Sequence, residues 1–282
     1  MSGRLVVCPT PIGNLEDITL RVLAALREAD VIAAEDTRHT RALLDRYGVV
    51  APLVSYHEHN EERRSSELVS RMQAGEVVAL VSDAGMPLVS DPGYVLVRAC
   101  VAAGLAVEVL PGPSAALTAL VASGLPSDSW RFVGFLPRKK GDLRRVFSES
   151  PGSGGGTLVA FESPRRVPAS LAVLASVDPD RPVAVARELT KLHEEVVRGS
   201  AAELAARYAD DPPRGEVVLV VAPPAVVSGA EAPLSEEAVA AVARLVEAGA
   251  KPRAAASVVA ELTGTSANAL YRAVAEGRSS SS

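Results

Sequence analysis

Along the first 124 residues, short continuous apolar runs alternate with longer segments whose apolar positions recur every three or four residues. Arg4–Cys8, Val31–Ala34, Glu76–Val81 and Leu105–Leu110 are the short runs, and they read as buried strands. Behind Thr19 as a cap, Leu20–Ala29 places Leu20, Leu23 and Leu26 at helical spacing. Further helices are predicted over Arg38–Tyr47, closed by Gly48, over Asn60–Gly75, over Tyr94–Ala103, and from Pro111 to about Ser123. Strands and helices in alternation predict a mostly parallel sheet covered on both faces. Ligands of such sheets sit at the carboxyl ends of strands, where the loops Pro9–Asn14, Ser82–Gly93 and Pro111–Ser114 fall.

After a junction at Gly124–Ser129 the pattern changes. Strand-like runs at Phe132–Phe135, Thr157–Phe161, Pro182–Glu188, Glu195–Gly199 and Glu216–Val221 follow one another with less between them, which predicts antiparallel pairing. Helices fit Gly141–Ser148, Pro164–Ser176 and Ala201–Tyr208. Pro151–Gly156 reads as a mobile insert and Pro223–Pro233 as a linker. Three short helices, Ser235–Ala248, Lys251–Leu262 and Ser266–Ala275, follow. The expected organisation is an α/β domain over residues 1–124, a second, mixed-sheet α/β domain over 125–223, a small helical unit over 234–276 and a disordered Ser-rich tail over 277–282.

Composition adds constraints. The 282 residues are 48% hydrophobic but only 4% aromatic, so the core is aliphatic. The net charge of -5 leaves no basic field for nucleic acid, and any such contact needs a local patch. Cys8 and Cys100 lie in apolar segments and read as small buried hydrophobes. The amino-terminal apolar run is too short for a signal peptide, and no stretch reaches the ~18 apolar residues of a membrane span. A soluble, cytoplasmic protein without membrane contact is expected.

Several chemistries are excluded. No dinucleotide fingerprint follows the first strand, and no phosphate-binding P-loop or nucleophile-elbow motif occurs. No cysteine or histidine spacing suggests zinc, and no metal is expected. What remains is an ordered set of segments: PTPIGNLEDITLR (9–21), AAEDTRHTRALL (33–44), SYHEHNE (55–61), VSDAGMPLVSDPGY (81–94), PGPSAALTALVASGLP (111–126), FVGFLPRKKG (132–141), FESPRR (161–166), ARELTKLHEEVVRG (186–199) and GEVVLVV (215–221). In this order, over nearly all of residues 4–222, they resemble the tetrapyrrole-methylase superfamily, and specifically its branch that methylates a ribose 2'-hydroxyl in small-subunit ribosomal RNA. Where that branch usually carries Thr the chain has Met86, and Leu88 stands where a smaller residue is usual.

The resemblance implies a two-domain α/β fold with S-adenosylmethionine in the cleft between the domains. It places cofactor contacts at Pro11, at Asp83, Gly85, Met86 and Pro87, and at Ser114 and Ala115. It adds Phe161 and Glu162, Arg187 and Glu188, and Gly215 and Glu216 from the second domain. Physical chemistry agrees for several: glycines at 85 and 112 let backbone approach a ligand closely, and the N–H groups at Ser114–Ala115 suit a carboxylate. A decoding-region cytidine of 16S ribosomal RNA, presented in the small subunit, is the implied substrate, and a homodimer the implied assembly.

Transfer from a sulfonium needs donor carbon and acceptor oxygen in line, and a base for the hydroxyl proton. Candidate bases are Asp36, His39, Glu162, Lys191 and His193, with His57, His59 and Glu194 also in polar segments. His57 and His59 would share one face if their segment were a strand. Arg138, Lys139, Lys140, Arg144 and Arg145, preceded by Arg131 and interrupted by one acid, Asp142, form the sharpest basic patch. Arg38, Arg41, Arg165 and Arg166 extend it as candidate phosphate contacts. Two other readings stand beside ribosomal RNA methylation: a small-molecule tetrapyrrole methyltransferase, and a non-catalytic cofactor-binding module associated with RNA, at which Met86 hints.

Overall fold

The computed structural model describes residues 3–148, 156–224 and 234–279. Most of the expected mobile insert (151–155), most of the linker (225–233) and the last residues of the tail (280–282) lie outside the described residues. The described residues form two compact units, one of 3–148 with 156–222, the other carrying the carboxyl-terminal helices. The expected boundary at 124/125 falls inside the first unit, between its two sheets.

The first sheet contains β1 (Arg4–Val7), β2 (Val31–Ala34), β3 (Leu53–Ser55), β4 (Val77–Val81) and β5 (Ala106–Val109). Its order is β3-β2-β4-β1-β5, and every pairing is parallel. Between these strands run α1 (Leu20–Glu28), α2 (Thr37–Arg46), α3 (Glu61–Gln73) and α4 (Tyr94–Ala102). Strand parity sorts the core: Val6, Ile32 and Ala79 pack with Val22 and Leu26 of α1 and with Leu43 and Leu44 of α2, while Leu5, Val31 and Leu80 pack with Leu68 and Met72 of α3 and Leu96 of α4. Burial on both faces explains why these strands read as continuous apolar runs. β3 is the exception: at three half-buried residues it is too short to show a period.

α5 (Ala115–Ser123) leaves the first sheet and packs under the second, with Ala116, Ala119 and Leu120 against Val159, Ala184, Ala186, Val218 and Val220. The second sheet contains β6 (Trp130–Phe135), β7 (Thr157–Glu162), β8 (Pro182–Arg187), β9 (Glu195–Ser200) and β10 (Val217–Val221), in the order β6-β7-β10-β8-β9. β6 and β7 are parallel, and the other pairs are antiparallel, so the sheet is mixed as expected. Its far face is covered by α6 (Lys140–Ser148), α7 (Val167–Val177) and α8 (Ala201–Arg207) through Leu143, Phe147, Leu171, Leu174 and Leu204.

In the second unit, α9 (Glu236–Glu247), α10 (Pro252–Thr263) and α11 (Ala267–Ser279) enclose Val242, Ala256, Val259 and Leu270. Ser235 caps α9, and Gly264 ends α10. α11 runs to Ser279, so Gly277–Ser279 are helical where a disordered tail was expected. No helix among the described residues is long and apolar enough to cross a membrane.

Candidate functional site

A cavity of about 380 Å³ opens where the strand ends of the first sheet meet β7 and β10 of the second. One wall is the loop after β4. Gly85 there is at φ 82°, and it forms a reciprocal pair with the loop after β1: the Thr10 N–H donates to the Gly85 carbonyl at 2.9 Å and the Gly85 N–H to the Thr10 carbonyl at 3.0 Å. A β-carbon at Gly85 would lie 3.3 Å from the Ile12 side chain. Leu88 and Ser90, neither of them glycine, sit at φ 72° and 69°. This conformation costs an L-residue ~1–2 kcal/mol, and at Leu88 it is offset by packing of the side chain into the core between α3 and α4.

Facing this loop, Glu162 at the end of β7 has a side chain with 0% exposure. Its carboxylate accepts from the Ser163 N–H at 2.8 Å and the Ser170 hydroxyl at 2.5 Å, and pairs with Arg166 at 3.3 Å. Three donors hold the carboxylate in one orientation, so Glu162 is a fixed acceptor with one position left on Oε1. Beside it, Lys191 donates to Glu188 at 2.9 Å and Glu216 at 3.0 Å, and the Glu188 carboxylate also accepts from the Glu216 N–H at 3.0 Å. Burial pulls the Lys191 ammonium down, but the two carboxylates outweigh it and raise its pKa above the ordinary value. Hydrogen bonds from the Glu216 N–H and from Lys191 hold Glu188 low. Lys191 therefore stays protonated near neutrality and does not serve as a base.

Of the residues expected to hold the cofactor, Gly85, Met86, Ser114, Ala115, Phe161, Glu162, Gly215 and Glu216 line this cavity. Pro11, Asp83, Pro87, Arg187 and Glu188 do not. Pro11 and Pro87 are buried in their turns. Asp83 ties strand ends together, accepting from the Asp36 N–H at 3.0 Å while the Glu35 carboxylate accepts from its own N–H. Arg187 pairs with Glu195 at 2.9 Å and lines a different cavity, on the face of β8 that carries Val183 and Val185. Ile12, Val89, Ser90, Asp91, Phe135, Ser163, Pro164 and Val218 line the cavity without having been singled out.

The remaining candidate bases are set apart from it. Asp36 caps α2, and a hydrogen bond from Arg38 lowers its pKa to about 2. His39 and His193 are exposed and lie outside the cavity lining. His57 and His59 occupy a turn rather than a strand, with ring centroids 6.0 Å apart, and line a second cavity of about 490 Å³ together with Glu35, Tyr94, Ser90 and Asp91. Ser90 and Asp91 thus border both cavities. No group of three His, Cys, Asp or Glu among the described residues is placed to hold a metal ion.

The basic candidates divide. Arg38, Arg41, Arg138, Lys139, Lys140, Arg144, Arg145 and Arg165 are exposed. Arg166 is not available as a surface cation, because its guanidinium donates to the Leu136 and Pro137 carbonyls at 3.0 and 2.7 Å besides pairing with Glu162.

Comparison with known proteins follows this geometry. Residues 4–205 match the family model of Tetrapyrrole (Corrin/Porphyrin) Methylases. The protein named Ribosomal RNA small subunit methyltransferase I from Micromonospora olivasterospora is 48% identical over 278 residues, covering 97% of this chain and 87% of its own length. Its namesake from Thermotoga maritima is 45% identical over 219 residues, covering 78% of this chain and 98% of its own length. Among solved structures, the uroporphyrin-III C-methyltransferase of Thermus thermophilus complexed with S-adenyl homocysteine superposes with a TM-score of 0.54 at 23% identity, over 78% of this chain and 97% of that one. Diphthine synthase superposes with a TM-score of 0.56 at 19% identity, over 78% of this chain and 90% of that one. These two likenesses concern the fold alone.

Proposed function

The chain belongs to the tetrapyrrole methylase family, and from that membership we propose that it transfers a methyl group from S-adenosylmethionine to the 2'-hydroxyl of a cytidine ribose in 16S ribosomal RNA of the small subunit. The observation that carries this reading is the two-sheet cavity in a chain 48% identical to a protein named for small-subunit ribosomal RNA methylation.

The residues present fit the donor. Ile12, Val89, Phe161 and Val218 give apolar wall for an adenine ring. The carboxylates of Glu162 and Glu216 face the same space as acceptors for hydroxyl or ammonium groups. Ser114 makes no side-chain cap, so the first N–H groups of α5 are left for a carboxylate. S-adenosylmethionine supplies a methyl group on a sulfonium, a good leaving group. Ser114–Ala115, Glu162 and the Gly85 loop orient it, and orientation of this kind is worth roughly 7–11 kcal/mol of barrier. The first sheet, the second sheet and α5 form the catalytic body. The carboxyl-terminal helices belong to the other unit, and the Thermotoga relative covers 98% of its own length while matching 78% of this chain.

Exposed Arg138, Lys139 and Lys140 at the start of α6 are assigned to backbone phosphates of the RNA. Lys139→Glu with Lys140→Glu should weaken subunit binding and lower the salt slope by about 0.7–0.9 per lost contact, with cofactor affinity unchanged. An unchanged slope removes the patch from the substrate surface. The homodimer draws support from apolar side chains left at the surface, Val109 on edge strand β5 and Leu117 and Val121 on α5, at 58%, 49% and 78% exposure. A monomer in sedimentation equilibrium at micromolar concentration would reject it.

Labelled S-adenosylmethionine tests the whole reading. Label should enter small subunits that lack the modification, at a nucleotide resistant to alkaline cleavage, and should not enter precorrin-type tetrapyrroles. Label in the tetrapyrrole alone selects the small-molecule reading. Cofactor binding with no transfer to either selects the non-catalytic one.

A further inference from the structure

The attacking hydroxyl needs a proton acceptor, and five of the candidates named from the sequence are poorly placed for it. Glu162 is held by three donors, Lys191 is held protonated, Asp36 is committed to Arg38, and His39 and His193 lie outside the cavity. Two further carboxyls line the cavity: Glu216, which is paired with Lys191 at 3.0 Å, and Asp91, which no lysine or arginine pairs. Asp91 borders both the cofactor cavity and the second cavity, whose other walls are Glu35, His57, Glu58, His59, Glu61 and Tyr94. Resting on the function proposed above, we infer that Asp91 is a catalytic residue that accepts the proton of the attacking ribose hydroxyl, and that the target nucleoside reaches it through the second cavity.

Three observations support this. The first is position: a donor in one cavity and an acceptor in the other meet at Ser90–Asp91, the wall common to both. Second, the backbone there is held in an uncommon state, Ser90 at φ 69° against Gly134 of β6, whose β-carbon would lie 3.3 Å from the Ser90 hydroxyl. Such strain gathers where a side chain must be aimed. The third is electrostatic. Burial first, then the charges of Glu35 and Asp83, push the Asp91 carboxyl up to about 6, against one opposing hydrogen bond from Ser82. The groups facing it are Glu35 at the end of β2, Ser82 and Asp83 after β4, and His57, which acts on Glu35. No lysine or arginine is among the groups that shift Asp91. A carboxylate with a pKa near 6 is ionised at neutral pH yet more basic than an ordinary aspartate, as a general base should be.

The step balances. An oxygen lone pair forms the new O–C bond as the C–S bond breaks, and that electron pair goes to sulfur. The hydroxyl becomes strongly acidic as the O–C bond forms, and its proton passes to the Asp91 carboxylate and later to water. The products are S-adenosylhomocysteine and the 2'-O-methylated ribose. The acidic second cavity disfavours phosphate and offers acceptors to an exocyclic amine such as cytosine N4, with Tyr94 and the two histidines as stacking surfaces.

The experiment compares wild type, Asp91→Asn and Asp91→Glu on unmodified small subunits, alongside calorimetric binding of S-adenosylhomocysteine. Asp91→Asn should lower kcat by 10²–10⁴-fold and bind S-adenosylhomocysteine within threefold of wild type. Wild-type kcat should fall below a limb near pH 6 that is absent from Asp91→Asn, and Asp91→Glu should recover part of the rate. Tyr94→Ala should raise KM for the subunit about tenfold and leave KM for the donor unchanged. Asp91→Asn within tenfold of wild-type kcat, or the same limb persisting in it, overturns the base. Unchanged subunit KM in Tyr94→Ala overturns the route. A wild-type enzyme inactive on the subunit overturns the function reading and this inference together, whereas active wild type with active Asp91→Asn overturns only the inference.

Discussion

The two walls of the cofactor cavity share strained backbone but differ in how much charge they add. On the first-sheet side the shape is held by backbone: Gly85, Leu88 and Ser90 all take positive φ, and a reciprocal pair joins Thr10 to Gly85. On the second-sheet side Glu188, Thr190 and Gly215 also take positive φ, and paired charge is added: Glu162 is held by Ser163, Ser170 and Arg166, and Glu188 and Glu216 share Lys191. Carboxyls differ accordingly. Asp91 and Glu35 on the first side are raised by burial and by neighbouring carboxylates, Asp91 by Glu35 and Asp83 and Glu35 by Asp83, whereas Glu188 on the second is lowered by the groups that bind it. Asp91 is thus left without a cationic partner, whereas Glu162, Glu188 and Glu216 are each paired with one.

The sharpest test of that contrast is Glu162→Ala. It strands a guanidinium and a buried hydroxyl, and it should cost about 3–5 kcal/mol of unfolding free energy in urea. Glu162→Gln, which keeps the side-chain volume and one of the two acceptor oxygens, should cost less. A loss below about 1 kcal/mol for the alanine variant breaks the claim that charge holds this wall.

On the backbone side the expected signature is an inverted order at Leu88. Leu88→Ala loses packing and keeps the strained φ, whereas Leu88→Gly loses the same packing and relieves the strain. The glycine variant should therefore be more stable by about 0.5–1 kcal/mol, against the usual ranking. Alanine at or above glycine in matched denaturation curves removes backbone strain from the account.

The smallest effect is one of sign. Asp91 titrates in the folded protein at about 6, above its ordinary 3.8, so the folded state binds that proton more tightly and stability falls as pH rises through this window. Asp91→Asn should then gain on wild type at pH 7 and lose that advantage by pH 4. Glu188 is held below its ordinary 4.5, so its contribution is present above that pH and is lost as pH falls beneath it. Glu188→Gln should accordingly be less stable than wild type at pH 7, with the gap closing in acid. If both variants move in the same direction between pH 4 and 7, the two walls are electrostatically alike.

Much of this fold was legible because burial on both faces writes itself as continuous apolar runs, which is how β1, β2, β4 and β10 announce themselves. The loops at the strand ends were legible too, through their glycines and prolines. β3 escaped because three half-buried residues carry no period, and the condition under which His57 and His59 would share a strand face is not met, since they follow β3 in a turn segment. Arg187 was misplaced for a reason its own strand could have corrected: it shares parity with Val183 and Val185, which face the helices, and not with Ala184 and Ala186, which face α5. Glu162 looked like a base because its partners Ser170 and Arg166 lie along the next helical turns and become visible as partners only when the chain is folded. Asp91 was passed over because Asp-Pro-Gly reads as an ordinary turn. Its two cavities exist only in three dimensions.

The reciprocal pair between Thr10 and Gly85 has a kinetic corollary. Two crossovers of the sheet are stapled at their tips, so neither can swing open unless the other lets go, and their amide protons should exchange with deuterium at one common rate.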